Sequence, residues 1–134
     1  MKNITIVILT FQTPENIILN CLSSISKDFR VLIVENSERF SHKDLVLSKF
    51  KNVDIICTGK NLGYGGGNNF GINAIDTDYT LILNPDVICS EDLFDNISEV
   101  INEDNDFSII GCQYLYDKIF MPAGFFDSKK NKEF

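Results

Sequence analysis

A chain of 134 residues with 44% apolar and 23% charged side chains has room for one domain with a real core, and its composition excludes a disordered segment. A net charge of −7 excludes a non-specific nucleic-acid binder, which needs Lys and Arg to neutralise phosphates. A phosphate ligand would have its charge met locally, by backbone N–H groups or a metal.

The apolar, β-branched run Ile4 to Leu9 predicts a strand buried on both faces. Thr13 is placed to cap the next helix, with Pro14 at its first position and Glu15 in its first turn. Ile17, Cys21 and Ile25 line one face of that helix, widened by Ile18 and Leu22. Val31 to Val34 reads as a second strand. Ser41 and Asp44 have the spacing of a capping box for a short helix carrying Leu45, Val46 and Phe50. Val53 to Cys57 is a third strand, followed by a glycine-rich loop and a helix bearing Phe70, Ala74 and Ile75. Tyr79 to Leu83 is a fourth strand. Ser90 caps a helix with Leu93, Ile97, Val100 and Ile101 inward, and Phe107 to Cys112 is a fifth strand.

Strands alternating with helices imply right-handed crossovers and a doubly wound, mainly parallel α/β sheet. Ligands bind such sheets beyond the C-terminal strand ends. The residues just past the strands are Thr10-Phe11-Gln12, Glu35-Asn36-Ser37, Lys60 to Asn69 and Asn84-Pro85-Asp86, and the unusual chemistry falls there.

Pro85 stiffens its turn and restricts Asn84, which aims both polar side chains at a strand end. A carboxylate at Asp86 suits a hard cation that shares its shell with phosphate oxygens and waters. An ordinary Asn-Pro-Asp turn is the plainer account of the turn alone. Gly63, Gly65, Gly66 and Gly67 let backbone approach a ligand at a helix start, where free N–H groups attract an anion. Lys60 adds charge, and Asn68 and Asn69 offer hydrogen bonds to ribose or phosphate; a merely flexible loop is the alternative. The order of these glycines matches neither the dinucleotide fingerprint nor the P-loop. Glu35 can accept the N3–H of a pyrimidine or serve as a turn cap. Gln12 and the backbone near Phe11 offer another base contact. His42, the sole histidine, reads as an exposed structural residue.

Taken together, these positions resemble family 2 glycosyltransferases of the GT-A fold, a Rossmann-like nucleotide-diphospho-sugar transferase architecture. Ile6 to Gln12 resembles the opening strand and T-Y-N turn, and Val34-Glu35-Asn36-Ser37 is similar to V-D-N-x-S. Asn61 to Gly71 resembles the N-x-G-x-x-G-G-N-N-x-G segment of rhamnosyltransferase-like members. Leu83-Asn84-Pro85-Asp86 stands where a D-x-D metal motif is expected, and Gly111 to Leu115 looks like the later G-P-K-x-L strand. The resemblance implies a donor-binding set of Thr10, Phe11, Gln12, Glu35, Asn61, Gly63, Gly66, Gly67, Asn68 and Asn84, with Asp86 on a divalent Mg²⁺ or Mn²⁺.

It also implies inverting transfer from a dTDP- or UDP-sugar to a glycan or lipid-linked acceptor in cell-surface polysaccharide synthesis. Family members run well past 200 residues by the resemblance, and their later part supplies the catalytic base. None is evident here, since Asp127 and Glu133 lie in the wrong segment. The expectation is therefore a truncated, donor-binding GT-A-like domain over residues 1–126, with a polar tail at 127–134, weak or inactive alone and completed by a C-terminal half or a homo-oligomer. A noncatalytic nucleotide- or partner-binding module is the alternative. A nucleotidyltransferase would want a basic, glycine-rich loop where Thr10 to Pro14 stand.

The four cysteines, Cys21, Cys57, Cys89 and Cys112, form no C-x-x-C pair, which predicts reduced thiols rather than a zinc site. The opening apolar run is too short for a signal peptide, and no run reaches the ~18 residues of a membrane span. The sequence thus predicts a cytosolic chain, with contact at the inner membrane face made through a part outside it.

Overall fold

In the computed structural model, residues 3–103, 109–111, 114–116, 119–121 and 125–126 are described. The chain divides into two compact units, Met1–Leu93 and Phe94–Phe134.

The first unit is built on four strands: β1 (Ile4–Thr10), β2 (Arg30–Glu35), β3 (Val53–Cys57) and β4 (Tyr79–Leu83). They pair in the order β3-β2-β1-β4, all parallel. Helices α1 (Glu15–Ser23), α2 (Lys43–Lys49) and α3 (Gly63–Ile72) connect them. The expected mainly parallel α/β sheet with flanking helices is present. Ile6, Val7, Ile8, Val31, Ile33 and Val34 are wholly buried, as expected for central strands covered on both sides. Each such side chain contributes about 1.5–3 kcal/mol of hydrophobic burial.

Register places the functional residues. Thr10 lies beside Glu35, and Glu35 beside Cys57, so three strands end in one row. Leu83 ends β4 beside Ile8, two positions before β1 ends at Thr10. The Asn84 turn therefore rises alongside the last residues of β1.

The helix starts differ from expectation. Helix α1 has Pro14 at its N-cap and no side-chain cap. The Pro14 carbonyl takes the N–H groups of Ile17 and Ile18 at 3.1 and 3.3 Å, while the Thr13 carbonyl accepts from His42 Nε2 at 3.2 Å. Ser41 does not cap α2, because that helix starts at Lys43 with His42 in the N-cap place and again no side-chain cap. The expected apolar stripe of α1 does form, with Ile18, Cys21, Leu22 and Ile25 buried.

The larger correction concerns the glycines. Gly63 to Asn69 are not a loop ahead of a helix; they are most of α3. Its buried residues are Gly67, Asn68 and Gly71, whereas Phe70 and Ala74 are exposed and Ala74 lies past its end. A Cβ on Gly71 would stand 2.6 Å from Val34 Cγ2 and 2.8 Å from Val7 Cγ1, and one on Gly67 would stand 2.4 Å from Leu9 Cδ1. At i and i+4 these two bare positions let the helix backbone settle directly onto β1 and β2. Ile75, just beyond the helix, packs against the same Val7, Leu32 and Val34 cluster.

The second unit contains α4 from Phe94 onward (the whole helix is Leu93–Glu103) and four short strands, β5 (Ile109–Ile110), β6 (Tyr114–Tyr116), β7 (Ile119–Met121) and β8 (Phe125–Phe126). Among the described residues of α4, Phe94 and Ser98 are buried and Ile97, Val100 and Ile101 half-buried. The Ser98 hydroxyl donates to the Phe94 carbonyl one turn back. The expected fifth strand is present in part, as Ile109 and Ile110, which pair antiparallel with Phe126 and Phe125; β6 pairs antiparallel with β7. Phe107 and Cys112, the ends of that expected strand, lie outside the described residues, as do Asp127 and Glu133. Among the described residues no helix is long and apolar enough to cross a membrane.

Candidate functional site

Chain order reverses at β1: two strands follow on one side, and β4 is then added on the other. Such a reversal opens a crevice at the C-terminal strand ends. Every expected site residue of the first unit lies at this end of the sheet, apart from Gly67 and Asn68, which are tucked against it.

On the β2 side, Glu35 is 1% exposed and fully engaged. Its Oε2 accepts the Thr10 hydroxyl at 2.7 Å, and its Oε1 accepts the Ser37 hydroxyl at 2.6 Å and the Gln12 backbone N–H at 3.2 Å. Gln12 sits at φ 52°, left-handed backbone that non-glycine residues seldom adopt. The carboxylate thus holds an uncommon turn in place. Its length explains this: a glutamate folds back over the end of β1.

Asn36, 3% exposed, joins the neighbouring loops. Its N–H donates to the Thr10 carbonyl at 2.7 Å. Its Oδ1 accepts the Leu62 N–H at 2.9 Å and the Thr58 hydroxyl at 3.3 Å, and its Nδ2 donates to Asn61 Oδ1 at 3.0 Å and the Gly63 carbonyl at 3.1 Å. Asn61 Oδ1 also accepts the Gly63 N–H at 2.8 Å. Gly63 itself has φ 73°, which only glycine adopts freely. Asparagines thereby satisfy two amides at the start of α3.

The next residues of α3, Tyr64, Gly65 and Gly66, are exposed. Asn68 is 4% exposed; its Nδ2 donates to the Tyr64 carbonyl at 3.0 Å, and its buried Oδ1 has no hydrogen-bond partner among the described residues. Such an orphaned acceptor calls for a physical account. Lys60 is exposed, and its carbonyl accepts the Thr58 hydroxyl at 2.7 Å.

On the β4 side, the Asn84 carbonyl accepts the Val87 N–H at 3.2 Å, closing a β-turn with Pro85 at its second position and Asp86 at its third. Asn84 and Asp86 are exposed. The Tyr64 hydroxyl donates to Asn84 Oδ1 at 3.0 Å, linking this turn to the start of α3. Among the described residues no group of three His, Cys, Asp or Glu side chains could hold a metal. A cation at Asp86 would therefore draw on the oxygens of a ligand as well as on protein carboxylate. That donor set fits a hard divalent ion bound together with a diphosphate.

Below the turn lies Cys21, whose thiol is 3.8 Å from the Asn84 carbonyl. Burial pushes it up to about 12, helped by the nearby Cys89 and Asp86. The unfolded thiol titrates near 9.0, so stability contributed by the neutral buried thiol is lost as pH rises from there toward about 12. Cys57 is exposed, whereas Cys21 and Cys89 are buried. Iodoacetamide at pH 8 is therefore expected to label Cys57 in the native chain and Cys21 only after unfolding, read by peptide mass spectrometry.

A cavity of about 330 Å³ adjoins the ends of β1 and β2, lined by Gln12, Thr13, Glu35, Ser37, Arg39, Phe40, Ser41 and His42. His42 has a structural place: its ring meets Phe40 edge-on at 5.7 Å, and Nδ1 lies 3.6 Å from Glu15 Oε2. It is half-buried rather than exposed. Phe11, beside the cavity residues in sequence, leaves half its surface exposed. The sequence reading gave no role to Arg39 or Tyr64, although Tyr64 sits inside the quoted glycine segment. An aromatic among glycines was the available signal.

The glycosyl transferase family 2 profile matches residues 5–122. The low-salt glycan biosynthesis hexosyltransferase Agl10 of Haloferax volcanii is 29% identical over 120 residues, which cover 86% of this chain and 38% of that protein. Mannosyltransferase PcManGT from Pyrobaculum calidifontis, solved in complex with GDP-Man and Mn²⁺, superposes with a TM-score of 0.69 at 11% identity, covering 85% of this chain and 36% of its own. S. aureus TarS (residues 1–349) superposes with a TM-score of 0.62 at 19% identity, covering 77% of this chain and 33% of its own. The structural likenesses show the GT-A fold. The chain spans little more than a third of the length of these relatives.

Proposed function

The chain belongs to glycosyl transferase family 2, and from that premise we propose that it binds the nucleotide-diphosphate-sugar donor of an inverting glycosyl transfer at the C-terminal ends of β1, β2 and β4. The observation that carries this reading is the bridged pair of segments at the crevice: the start of α3 and the Asn84-Pro85-Asp86 turn, joined by Tyr64 and Asn84 at 3.0 Å. One offers backbone N–H groups of a helix start, the other a carboxylate, as a diphosphate and its cation require.

Within this reading, Phe11 and Gln12 face the nucleobase, with the exposed Phe11 ring available for stacking and the 330 Å³ cavity beside it, while the buried Thr10 acts through Glu35. Glu35 serves the base indirectly, by holding Gln12. Asn61 and Gly63 fix the start of α3, and Gly65 and Gly66 leave its first turn open to phosphates. Gly67 contributes by seating the helix on β1. Asn68 contributes indirectly, its buried amide holding the Tyr64 carbonyl at 3.0 Å. Asp86 would hold Mg²⁺ or Mn²⁺, which supplies charge neutralisation for the departing diphosphate when bound. A dTDP- or UDP-sugar, rhamnose included, is the donor favoured by the Asn61 to Gly71 motif, and GDP is carried as a third base because PcManGT was solved with GDP-Man. The acceptor is a glycan or lipid-linked glycan, and we place donor binding alone on this chain.

Calorimetry with UDP, dTDP and GDP, with and without Mn²⁺, tests the reading. One diphosphate is expected to bind in a metal-dependent way, and Asp86→Ala is expected to weaken it about 10–100-fold. Absent or metal-independent binding favours a noncatalytic module instead.

A further inference from the structure

Resting on that donor-site reading, the geometry points to Tyr64 as a positioning residue: it orients Asn84 so that the amide NH₂ serves the diphosphate, while the carboxylate of the same turn, Asp86, serves the cation. Tyr64 is 63% exposed, so core packing gives no account of its ring. Its backbone is nonetheless firmly held. The preceding two N–H groups are taken by Asn36 and Asn61, and its own carbonyl accepts Asn68 Nδ2 at 3.0 Å. From this fixed base the phenol donates to Asn84 Oδ1 at 3.0 Å, across twenty positions of sequence.

The consequence follows from the chemistry of an amide. Asparagine carries one side-chain acceptor oxygen and one NH₂ with two donors. Tyr64 takes one lone pair of that oxygen and turns it toward the phenol, and the NH₂ has no partner among the described residues. The Asn84 backbone carbonyl is already engaged by Val87 N–H and lies near the Cys21 thiol. The group left to meet a ligand is therefore a neutral donor, which attracts phosphate oxygens. An aspartate there would accept from Tyr64 equally well, yet present a negative charge to the phosphates. Tyr64 thus selects the role Asn84 plays, without touching the reacting atoms.

The test uses the full 134-residue chain. Calorimetry with UDP, dTDP and GDP in Mn²⁺ gives diphosphate affinity; electron paramagnetic resonance of free Mn²⁺ gives metal affinity without nucleotide. Tyr64→Phe is expected to weaken the bound diphosphate about five- to tenfold, the loss of one oriented hydrogen bond, with Mn²⁺ affinity and Tm unchanged. Asn84→Asp is expected to tighten Mn²⁺ in the absence of nucleotide and to weaken the diphosphate in the absence of metal. Wild-type diphosphate affinity in Tyr64→Phe overturns the role of Tyr64 alone, as does a loss matched by a lower Tm or weaker Mn²⁺ binding. If the unaltered chain binds none of the three diphosphates, the donor-site reading falls and this inference with it.

Discussion

Gly71→Val is expected to destabilise the chain by about 3 kcal/mol, lowering Tm by roughly 10 °C, whereas Gly65→Ala raises stability by about 0.5–1 kcal/mol. Both glycines lie in α3, and neither has a left-handed backbone, so propensity alone would favour either change. Their surroundings decide the sign. A Cβ on Gly71 meets Val34 Cγ2 at 2.6 Å and Val7 Cγ1 at 2.8 Å, whereas one on Gly65 meets nothing within 4 Å. Val7 and Val34 are wholly buried and β-branched, so neither has another rotamer at low cost. The helix must lift from the sheet. Gly67 faces the half-buried Leu9, whose end can turn aside, so Gly67→Ala costs less than the valine at 71. Thermal melts of the three variants check the order.

Glu35→Leu is expected to cost about 2–4 kcal/mol, while Glu35→Gln stays within about 1 kcal/mol of the original, as read from urea midpoints. Leucine takes the acceptor from three donors: the Gln12 N–H, which loses its partner, and the Thr10 and Ser37 hydroxyls, which keep only the longer contacts to the Val34 and Arg39 carbonyls at 3.4 and 3.3 Å. Thr10 is 1% exposed and has little recourse to water. Ser37 and Gln12 are nearer solvent, which caps the penalty. Glutamine keeps one oxygen for Ser37 and Gln12. Its NH₂ can then donate to Thr10 Oγ1, because that hydroxyl has the Val34 carbonyl within 3.4 Å as another acceptor. If leucine were tolerated as well as glutamine, the Gln12 turn would not depend on the carboxylate.

Much of the first unit was legible in sequence, for a physical reason. Central parallel strands must be apolar on both faces, so β1 and β2 stand out as the β-branched, apolar runs Ile4 to Leu9 and Val31 to Val34, and the outer strands Val53–Cys57 and Tyr79–Leu83, only partly buried, still have their observed ends where expected. The glycine segment misled because four glycines in five positions read as a loop. Helix propensity is a local quantity, whereas the gain here comes from contact with Val7 and Val34, distant in sequence. The i, i+4 spacing of Gly67 and Gly71 was the clue to it. The pairing and direction of the short strands after α4 escaped for another reason: two- and three-residue pairings carry too little pattern to declare either.

The placement of the site residues was legible, but their engagements were not. That Glu35 ends a strand follows from Val31 to Val34. That its carboxylate is consumed by Thr10, Gln12 and Ser37 depends on the register of β1 against β2, which no local pattern specifies. The same holds for Tyr64, whose partner lies beyond a whole helix and strand. Thr13 and Ser41 had the right composition for caps, yet each helix begins past them, at Glu15 and Lys43.

Asn36 has one further consequence. A single buried residue binds the last residue of β1 through its backbone N–H, and the loop after β3 and the first turn of α3 through its side-chain amide. Those segments cannot fray one at a time, because releasing any of them leaves Asn36 with an unmet buried group. They form one cooperative unit in local opening, and the amides of Asn36 and Leu62 should share a common protection free energy. The crevice rim then behaves as a rigid frame on the Asn36 side, and ligand-driven adjustment falls to the exposed turn at Asn84 and the tyrosine that reaches it.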